Sequence, residues 1–365
     1  MSGGIDSSIA ALILKNKGYD VTGFFIKFWS DPLCPVKKEN SCCNQESMRS
    51  AQDVAYKLSI PFYAVDAKKL FKKVVVDDFI LEFKKYKTPN PCVRCNELIK
   101  FGWFLKLAES LGFEQVATGH YCRLKKDSKG VYHLLRGVDP TKDQSYFLYR
   151  LNQKQLAKII FPVGKYTKKE VRKIANQHKI KIRSAKESQE ICFIHDKDYR
   201  QFLVRYLPKK YFKSGNMVDT SGNIIGRHSG LLNYTIGQRK GIETIGIKNE
   251  SKNPLYVVGF NVKSNELIVG EDKLVYQKEM TVENLSWTSP WAENEAYKIK
   301  KIKVGIRYHH KTVPCRIKYK NVETGHAPSL LKVTFKKPQR AITPGQSAVF
   351  YKGNEILGGG IITLD

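Results

Sequence analysis

The chain opens on alternating helical and strand-like periods. Residues 9–18 carry apolar side chains at helical spacing and close on Gly18, a residue type that ends helices. Residues 21–28 are β-branched and aromatic, which predicts a strand. Met48, Ala51, Val54, Ala55 and Leu58 fall on one face of a helix over 45–58. A second strand follows over 60–65, then a long helix over about 70–86 and a helix over 97–111 ended by Gly112. A short strand at 115–119 and helical signals over 153–160 and 167–178 complete this part. Strands alternating with helices predict an α/β domain, a parallel sheet with helices on both faces.

The texture changes near residue 200. Gly-rich turns separate short alternating strands over 216–220, 222–227, 256–261 and 266–270. Beyond 276 the pattern is almost all β, with strands near 281–287, 297–307, 314–320, 330–335 and 347–351, spacing that suits a small barrel or sandwich. The expected division is 1–200, 201–275 and 276–365. No run of 18 apolar residues occurs and no basic-then-apolar leader precedes the first motif, so no membrane partner is expected.

Composition adds a sharper feature. The 365 residues include 63 Lys and Arg against 34 Asp and Glu, a net charge of +29. Such a surplus points to a polyanionic partner. Lysines number 49 and arginines 14, so a genome-wide lysine bias accounts for the same surplus equally well. The excess is +16, +5 and +8 over the three segments, so an anionic partner would meet folded surfaces rather than a basic tail. Hydrophobic residues at 42% and aromatics at 11% supply cores and exclude global disorder. Eight cysteines, at 34, 42, 43, 92, 95, 122, 192 and 315, are too sparse for a disulfide scaffold. They predict a reducing, cytoplasmic setting and thiols that are free, catalytic or metal-binding.

The sharpest local signal is Ser2-Gly3-Gly4-Ile5-Asp6-Ser7-Ser8 ahead of an apolar helix. Two glycines let backbone N–H groups approach a phosphate, and Ser7 and Ser8 bring hydroxyls to the helix N-terminus. An ordinary Gly turn with a helix cap is the bland alternative, which the completeness of the pattern disfavours. No Gly-Lys-Ser/Thr follows, so it is not a Walker A loop. It resembles the PP-loop of the ATP pyrophosphatases, an adenine nucleotide α-hydrolase-like fold. That resemblance implies cleavage of ATP between its α- and β-phosphates and transfer of AMP to a substrate oxygen. Asp6 would hold Mg²⁺ or orient the loop. A core strand precedes the loop in that superfamily, whereas here the loop begins at residue 2, which predicts a chain start short of the natural one.

A second signal is Thr88-Pro89-Asn90-Pro91-Cys92-Val93-Arg94-Cys95-Asn96, with a helix expected to begin after Cys95. The helix dipole and Arg94 would favour a thiolate there. A third is Glu190-Ile191-Cys192-Phe193-Ile194, read as a short apolar strand in which Cys192 taken alone is a core residue.

With the loop, these segments resemble the tRNA-specific 2-thiouridylase family (MnmA, also called TrmU), and the likeness runs over the whole chain. Ala117-Thr118-Gly119-His120-Tyr121, Lys142-Asp143-Gln144-Ser145-Tyr146-Phe147-Leu148, Gly237-Gln238-Arg239-Lys240-Gly241, Thr343-Pro344-Gly345-Gln346-Ser347-Ala348-Val349 and Gly358-Gly359-Gly360 all match its segments in order. The resemblance implies a PP-loop domain, a small central tRNA-binding domain and a C-terminal β-barrel. It implies ATP and Mg²⁺ as cofactors, tRNA as substrate, and a sulfur-relay or cysteine desulfurase protein as donor. Ser2, Gly3, Gly4, Asp6, Ser7, Ser8, Ile26 and Gly119 fall where the family holds ATP. Asn90, Pro91, Cys92, His120 and Gln346 fall near the target base, and Lys142, Asp143, Gln144, Arg307 and Tyr308 on tRNA contacts. Cys192 would carry a persulfide and Cys95 would attack it.

Two departures keep an alternative open. Cys92 stands where some members carry Asp, and Cys92, Cys95 and Cys192 together would suit an iron–sulfur cluster with one open iron. Lys186-Glu187-Ser188-Gln189-Glu190 replaces the usual Asp-Ser-Thr-Gly ahead of the second cysteine. Cys34, Cys42 and Cys43 read as spare thiols on a mobile loop, and His309-His310 as a polar strand end. A PP-loop ligase acting on a small metabolite and a non-catalytic tRNA binder remain the rival readings.

Overall fold

The computed structural model describes residues 1–35, 45–180, 191–196, 198–242, 254–320 and 330–363. Cys42, Cys43 and residues 186–190 lie outside the described residues.

The first helix runs Ile5–Asn16. It begins ahead of its apolar period because the polar Asp6 and Ser7 form its first turn, where unpaired N–H groups suit them. The strand Gly23–Lys27 pairs in parallel with Phe62–Asp66, and the helix Gln45–Lys57 crosses between them. A second parallel pair joins Val116–Ala117 to Ile159–Ile160. The signal over 153–160 therefore divides into a short helix, Gln153–Leu156, and a strand. Met1 N donates to the Phe24 carbonyl.

Two long helices differ from their expected form. The first is continuous from Lys68 to Lys84 but widens to π geometry over Lys72–Val76. The second runs from Pro91 to Ser110, with π geometry over Cys95–Trp103. Asn90 caps it, its Oδ1 accepting from Val93 N at 3.4 Å, and Pro91 occupies the first helical position, where a missing N–H costs nothing. The helix therefore begins before Cys92 rather than after Cys95. Single π turns inside α-helices recur at functional sites.

The central unit is a four-stranded sheet in the order Ile224–His228, Gly215–Val218, Glu266–Gly270, Tyr256–Asn261, with its inner pair parallel. The C-terminal unit is a closed antiparallel barrel of Tyr276–Trp287, Leu330–Arg340, Val313–Lys320, Ile302–Gly305, Ser347–Lys352 and Glu355–Thr363. The strand expected over 297–307 shrinks to Ile302–Gly305. Helical turns precede it, and they bury Ala292 and Ala296 at helical spacing in the barrel core.

Sequence periodicity missed a hairpin, Cys122–Lys126 with Tyr132–Arg136, which belongs to the first segment yet extends the barrel sheet through Leu134–Ile356 and Leu135–Glu355. His133 pins this junction. Its Nδ1 lies 2.8 Å from Glu355 Oε1 and its Nε2 3.1 Å from Asp127 Oδ2. The hydrogen bond to Glu355 raises the His133 pKa, and burial offsets only part of the rise. A histidine whose folded pKa is raised contributes stability that is full below its unfolded pKa, about 6.5, and lost as pH rises through the folded value. The melting midpoint should therefore fall as pH rises from 6 toward 8. The His133→Gln variant should show a flatter profile by calorimetry, and an unchanged slope would refute this role.

Candidate active site

The loop Ser2–Ser8 wraps the N-terminus of the first helix. Gly3 sits at φ +75°, and a Cβ there would stand 2.3 Å from the Ser47 carbonyl oxygen. Only glycine meets both demands. Gly4 is the helix cap, and its carbonyl accepts from Ser7 Oγ at 3.1 Å and Ser8 Oγ at 3.0 Å. Ser2 N donates to Ser7 Oγ at 3.0 Å, which draws the loop closed over the first turn. Gly119 presses on that turn from outside: a Cβ would lie 2.6 Å from both Asp6 C and Ser7 N. Ile26 stands on the neighbouring parallel strand, paired with Val65.

Asp6 is held, not open. Lys168 Nζ donates to both of its oxygens at 2.8 Å, and the Tyr121 hydroxyl donates to Oδ1 at 2.6 Å. A Mg²⁺ ion at Asp6 would have to displace a buried ammonium, so this carboxylate fits the loop-orienting role and not the ligand role. Sequence reasoning missed Lys168. A signal existed: Thr167 and Glu170 form a capping box that places Lys168 at the first helical position, its N–H donating to Asp139 Oδ2 at 2.9 Å. Lys168→Met leaves the Asp6 carboxylate unneutralised in the first helical turn, where the PP-loop resemblance implies phosphates. Pyrophosphate release should fall at least roughly tenfold, about 1.4 kcal/mol, and Asp6→Asn in the same chain should recover part of the loss. Wild-type release by Lys168→Met would reject the role.

The cysteines converge differently from their sequence reading. Cys92 lies in the first helical turn and is half-buried, whereas Cys95 is in the second turn and buried. Arg94 is 3.3 Å from Asp78 and 3.4 Å from Glu97, so its charge is compensated rather than directed at a thiol. Cys192 lies in a turn closed by Ile194 N to Ile191 O at 3.0 Å, not in a strand. Phe193 and Ile194 are both buried, a consecutive pair that period-two alternation would not bury together. Cys95 belongs to the apolar cluster of Phe71, Phe79, Phe193 and Phe202, and Cys192 and Ile26 pack against that same cluster. No disulfide joins the described cysteines. Among the described residues no three His, Cys, Asp or Glu side chains stand close enough to share a metal ion. Cys34 is buried, which is not the position of a spare thiol on a mobile loop.

The remaining sequence segments lace into a ring. Tyr121 N donates to Gln144 Oε1 at 3.1 Å, and Gln144 N to the Tyr121 carbonyl at 3.0 Å. Tyr146 hydroxyl donates to the Ser347 carbonyl at 2.8 Å and also hydrogen-bonds Asn90. Gln346 Nε2 donates to the Thr88 carbonyl at 2.8 Å, and Thr88 N to the Pro344 carbonyl at 2.8 Å. The barrel is thus bonded to Thr88, just ahead of Pro91, Cys92 and Cys95. Tyr308 packs beside Phe147 with ring centroids 4.3 Å apart and planes tilted by 45°; burial, with Asp143 and Cys92 nearby, pushes its pKa up to about 12. Arg307 is half-buried, with Nη1 donating to the Arg340 carbonyl at 3.3 Å. The Asp143 carboxylate accepts from Gly137 N and Ser145 N at 3.1 Å and so holds its own turn. Lys142 N donates to the Asp139 carbonyl in the same turn. His120 is interior, packed against Phe101 and Phe161, and burial followed by Lys100 keeps its pKa well below the usual value.

Comparison with known proteins agrees with the fold class. Family models match residues 1–196 as a tRNA methyl transferase HUP domain, 200–271 as its PRC-barrel domain and 277–362 as an aminomethyltransferase β-barrel domain. A protein of Geotalea uraniireducens named tRNA-specific 2-thiouridylase MnmA is 42% identical over 99% of this chain and 93% of its own length. Proteins of the same name from Geobacter metallireducens and Clostridioides difficile are 40% and 41% identical, over 99% of this chain and 95% and 96% of theirs. Identity at that level, end to end, with HUP, PRC-barrel and β-barrel units in order, means that this chain belongs to the tRNA-specific 2-thiouridylase family.

Proposed function

We propose that the protein performs ATP-dependent 2-thiolation of the wobble uridine of tRNA; its relatives are named tRNA-specific 2-thiouridylases. The observation that carries this reading is the shared cluster: Cys95 and Cys192, almost a hundred positions apart, meet on one apolar surface that the ATP-side strand also touches at Ile26. A methyl transfer, the word in the family model's description, needs neither a PP-loop nor paired thiols.

The loop N–H groups and hydroxyls of Ser2–Ser8, with Gly119 behind them, bind the phosphates of ATP. Uridine O2 attacks the α-phosphate and pyrophosphate leaves, which turns a poor leaving group into AMP. Chemistry at C2 requires the base out of its stack. By the family resemblance, Asn90, Pro91, Cys92, His120 and Gln346 would lie nearest the base and Lys142, Asp143, Gln144, Arg307 and Tyr308 would contact the tRNA around it. A donor protein loads Cys192 as a persulfide. The Cys95 thiolate attacks Cys192 Sγ, forming the Cys95–Cys192 disulfide and releasing hydrosulfide, which adds to C2 and displaces AMP. An external dithiol then reduces the disulfide.

Incubating the protein with an unmodified tRNA, ATP and a persulfide donor should yield 2-thiouridine at the wobble position by mass spectrometry of digested RNA. A methylated uridine, or pyrophosphate release that needs a small metabolite and no tRNA, would overturn the reading.

A further inference from the structure

Sulfur transfer requires Cys192 to be held against Cys95 while the adenylate forms at the loop. Three of the residues that follow Cys192, namely Phe193, His195 and, through Arg205, Asp196, are tied to one segment, 29–31, which lies just beyond the ATP-side strand Gly23–Lys27. Phe193 is fully buried with its ring 6.4 Å from that of Trp29. His195 Nε2 lies 3.2 Å from Ser30 Oγ. Asp196 Oδ2 accepts from Arg205 Nη1 at 2.6 Å. The same guanidinium donates from Nε to Asp31 Oδ2 at 2.9 Å and places Nη2 2.8 Å from that oxygen. The Asp31 side chain is 0% exposed and also accepts from the Tyr206 hydroxyl.

Two carboxylates face each other across this junction, one fully buried and one 15% exposed. They repel unless a cation lies between them. A planar guanidinium presents donors to both at once, which a lysine ammonium on a flexible stem does not. Arg205 sits on the helix Tyr199–Tyr206, whose Phe202 packs on Phe193 at 5.4 Å, so the clamp has a rigid base.

We propose that Arg205, clamping Asp31 to Asp196, is a positioning residue for sulfur transfer: it fixes the Cys192 turn to the segment that leaves the ATP-side strand. The inference rests on the proposed thiolation, with Arg205 acting through Cys192 and not on the substrate. It separates the two halves of the reaction, because the hydrogen bonds and ion pairs of the clamp join Arg205 to Asp31 and Asp196 and Tyr206 to Asp31, away from Ser2–Ser8 in sequence.

The test uses the full chain with Arg205→Gln, Arg205→Lys and Asp196→Asn. Three quantities are read: one-turnover pyrophosphate release with tRNA, thiouridine formation, and the rate of iodoacetamide alkylation at Cys192 by peptide mass spectrometry. In Arg205→Gln, pyrophosphate release should stay within about twofold of wild type. Thiouridine formation should drop at least roughly tenfold, as misplacement of a reacting group predicts. Alkylation of Cys192 should quicken several-fold, and Arg205→Lys should recover only part of the thiolation rate. Asp196→Asn keeps the buried Asp31–Arg205 pair, so it carries the same comparison if Arg205→Gln does not fold. A parallel fall in both reactions, tracking a lower melting temperature, would overturn the proposal, as would wild-type thiolation in Arg205→Gln and Asp196→Asn. If the wild-type protein forms no thiouridine, the function reading fails first. The alkylation rates then still report on the clamp: faster alkylation supports it and unchanged rates refute it.

Discussion

Cys192→Ser should abolish thiouridine formation, by more than roughly a thousandfold, while pyrophosphate release with tRNA stays near wild type; Cys95→Ser should do the same. A serine hydroxyl can neither carry a sulfane sulfur nor attack one at neutral pH, so the loss is of a covalent step and not of a contact. The two variants separate by where sulfur stops. Cys95→Ser should accumulate the Cys192 persulfide, a gain of 32 Da on the Cys192 peptide, a mass set by one sulfur atom. Cys192→Ser should accept no sulfur there at all. Neither substitution enlarges a side chain, but Cys95 is a buried member of the aromatic cluster of Phe71, Phe79, Phe193 and Phe202, whereas Cys192 only packs against it. Cys192→Ser should therefore change stability little and Cys95→Ser should lower it by about 1–3 kcal/mol, the cost of burying a hydroxyl, and circular dichroism melts check that. Thiouridine formation by either variant at a wild-type rate would refute the assignment of that cysteine.

Much of this site was legible in the sequence, and the limits were physical. The loop was readable because it is local: seven consecutive residues contain the glycine that needs a left-handed backbone and the serines that close the turn. The cysteines were readable as residues but not as geometry. Pro89 and Pro91 signal an extended approach, yet Asn90 as a cap turns Pro91 into a helix opener, which shifts Cys95 from the helix mouth to its second turn. Cys192 lies among apolar neighbours that mimic a strand. What buries Phe193 and Ile194 is an aromatic cluster assembled from distant helices, and no local period encodes that. Lys168 and the hairpin at 122–136 share the same difficulty, since their partners, Asp6 and Glu355, lie far away in sequence. The last barrel strand, Glu355–Thr363, is not expected from periodicity, because three consecutive glycines, Gly358, Gly359 and Gly360, are a residue type depleted in strands. The close approach of neighbouring strands explains those glycines only once the barrel is closed.

Gly119→Ala tests the other half of the reaction and should disable it without touching the sulfur half. A Cβ at this position would stand 2.6 Å from Asp6 C and 2.6 Å from Ser7 N, and 2.9 Å from Asp6 Cβ. The first two are backbone atoms, so relief cannot come from rotating a side chain. Either the strand end Val116–Ala117 or the first turn of Ile5–Asn16 must move. The strand end is tied down by Val116 N to the Lys158 carbonyl at 2.8 Å, and His120 just beyond Gly119 is packed in the interior. The helix turn is the softer side, since its free N–H groups have no intrahelical partners. A displacement of about 1 Å at phosphate-binding donors costs roughly a hundredfold in rate, so pyrophosphate release should fall by about that factor and the KM for ATP should rise. Overpacking of this kind lowers stability by about 1–3 kcal/mol, which leaves a folded chain for the assay. Alkylation and persulfide loading at Cys192 should be unchanged, because the Cys192 turn is held by Trp29, Ser30 and Arg205 and not by the loop. Loss of both halves together would mean that the nucleotide loop and the sulfur-carrying turn move as one body, and wild-type pyrophosphate release would mean that the phosphates bind elsewhere.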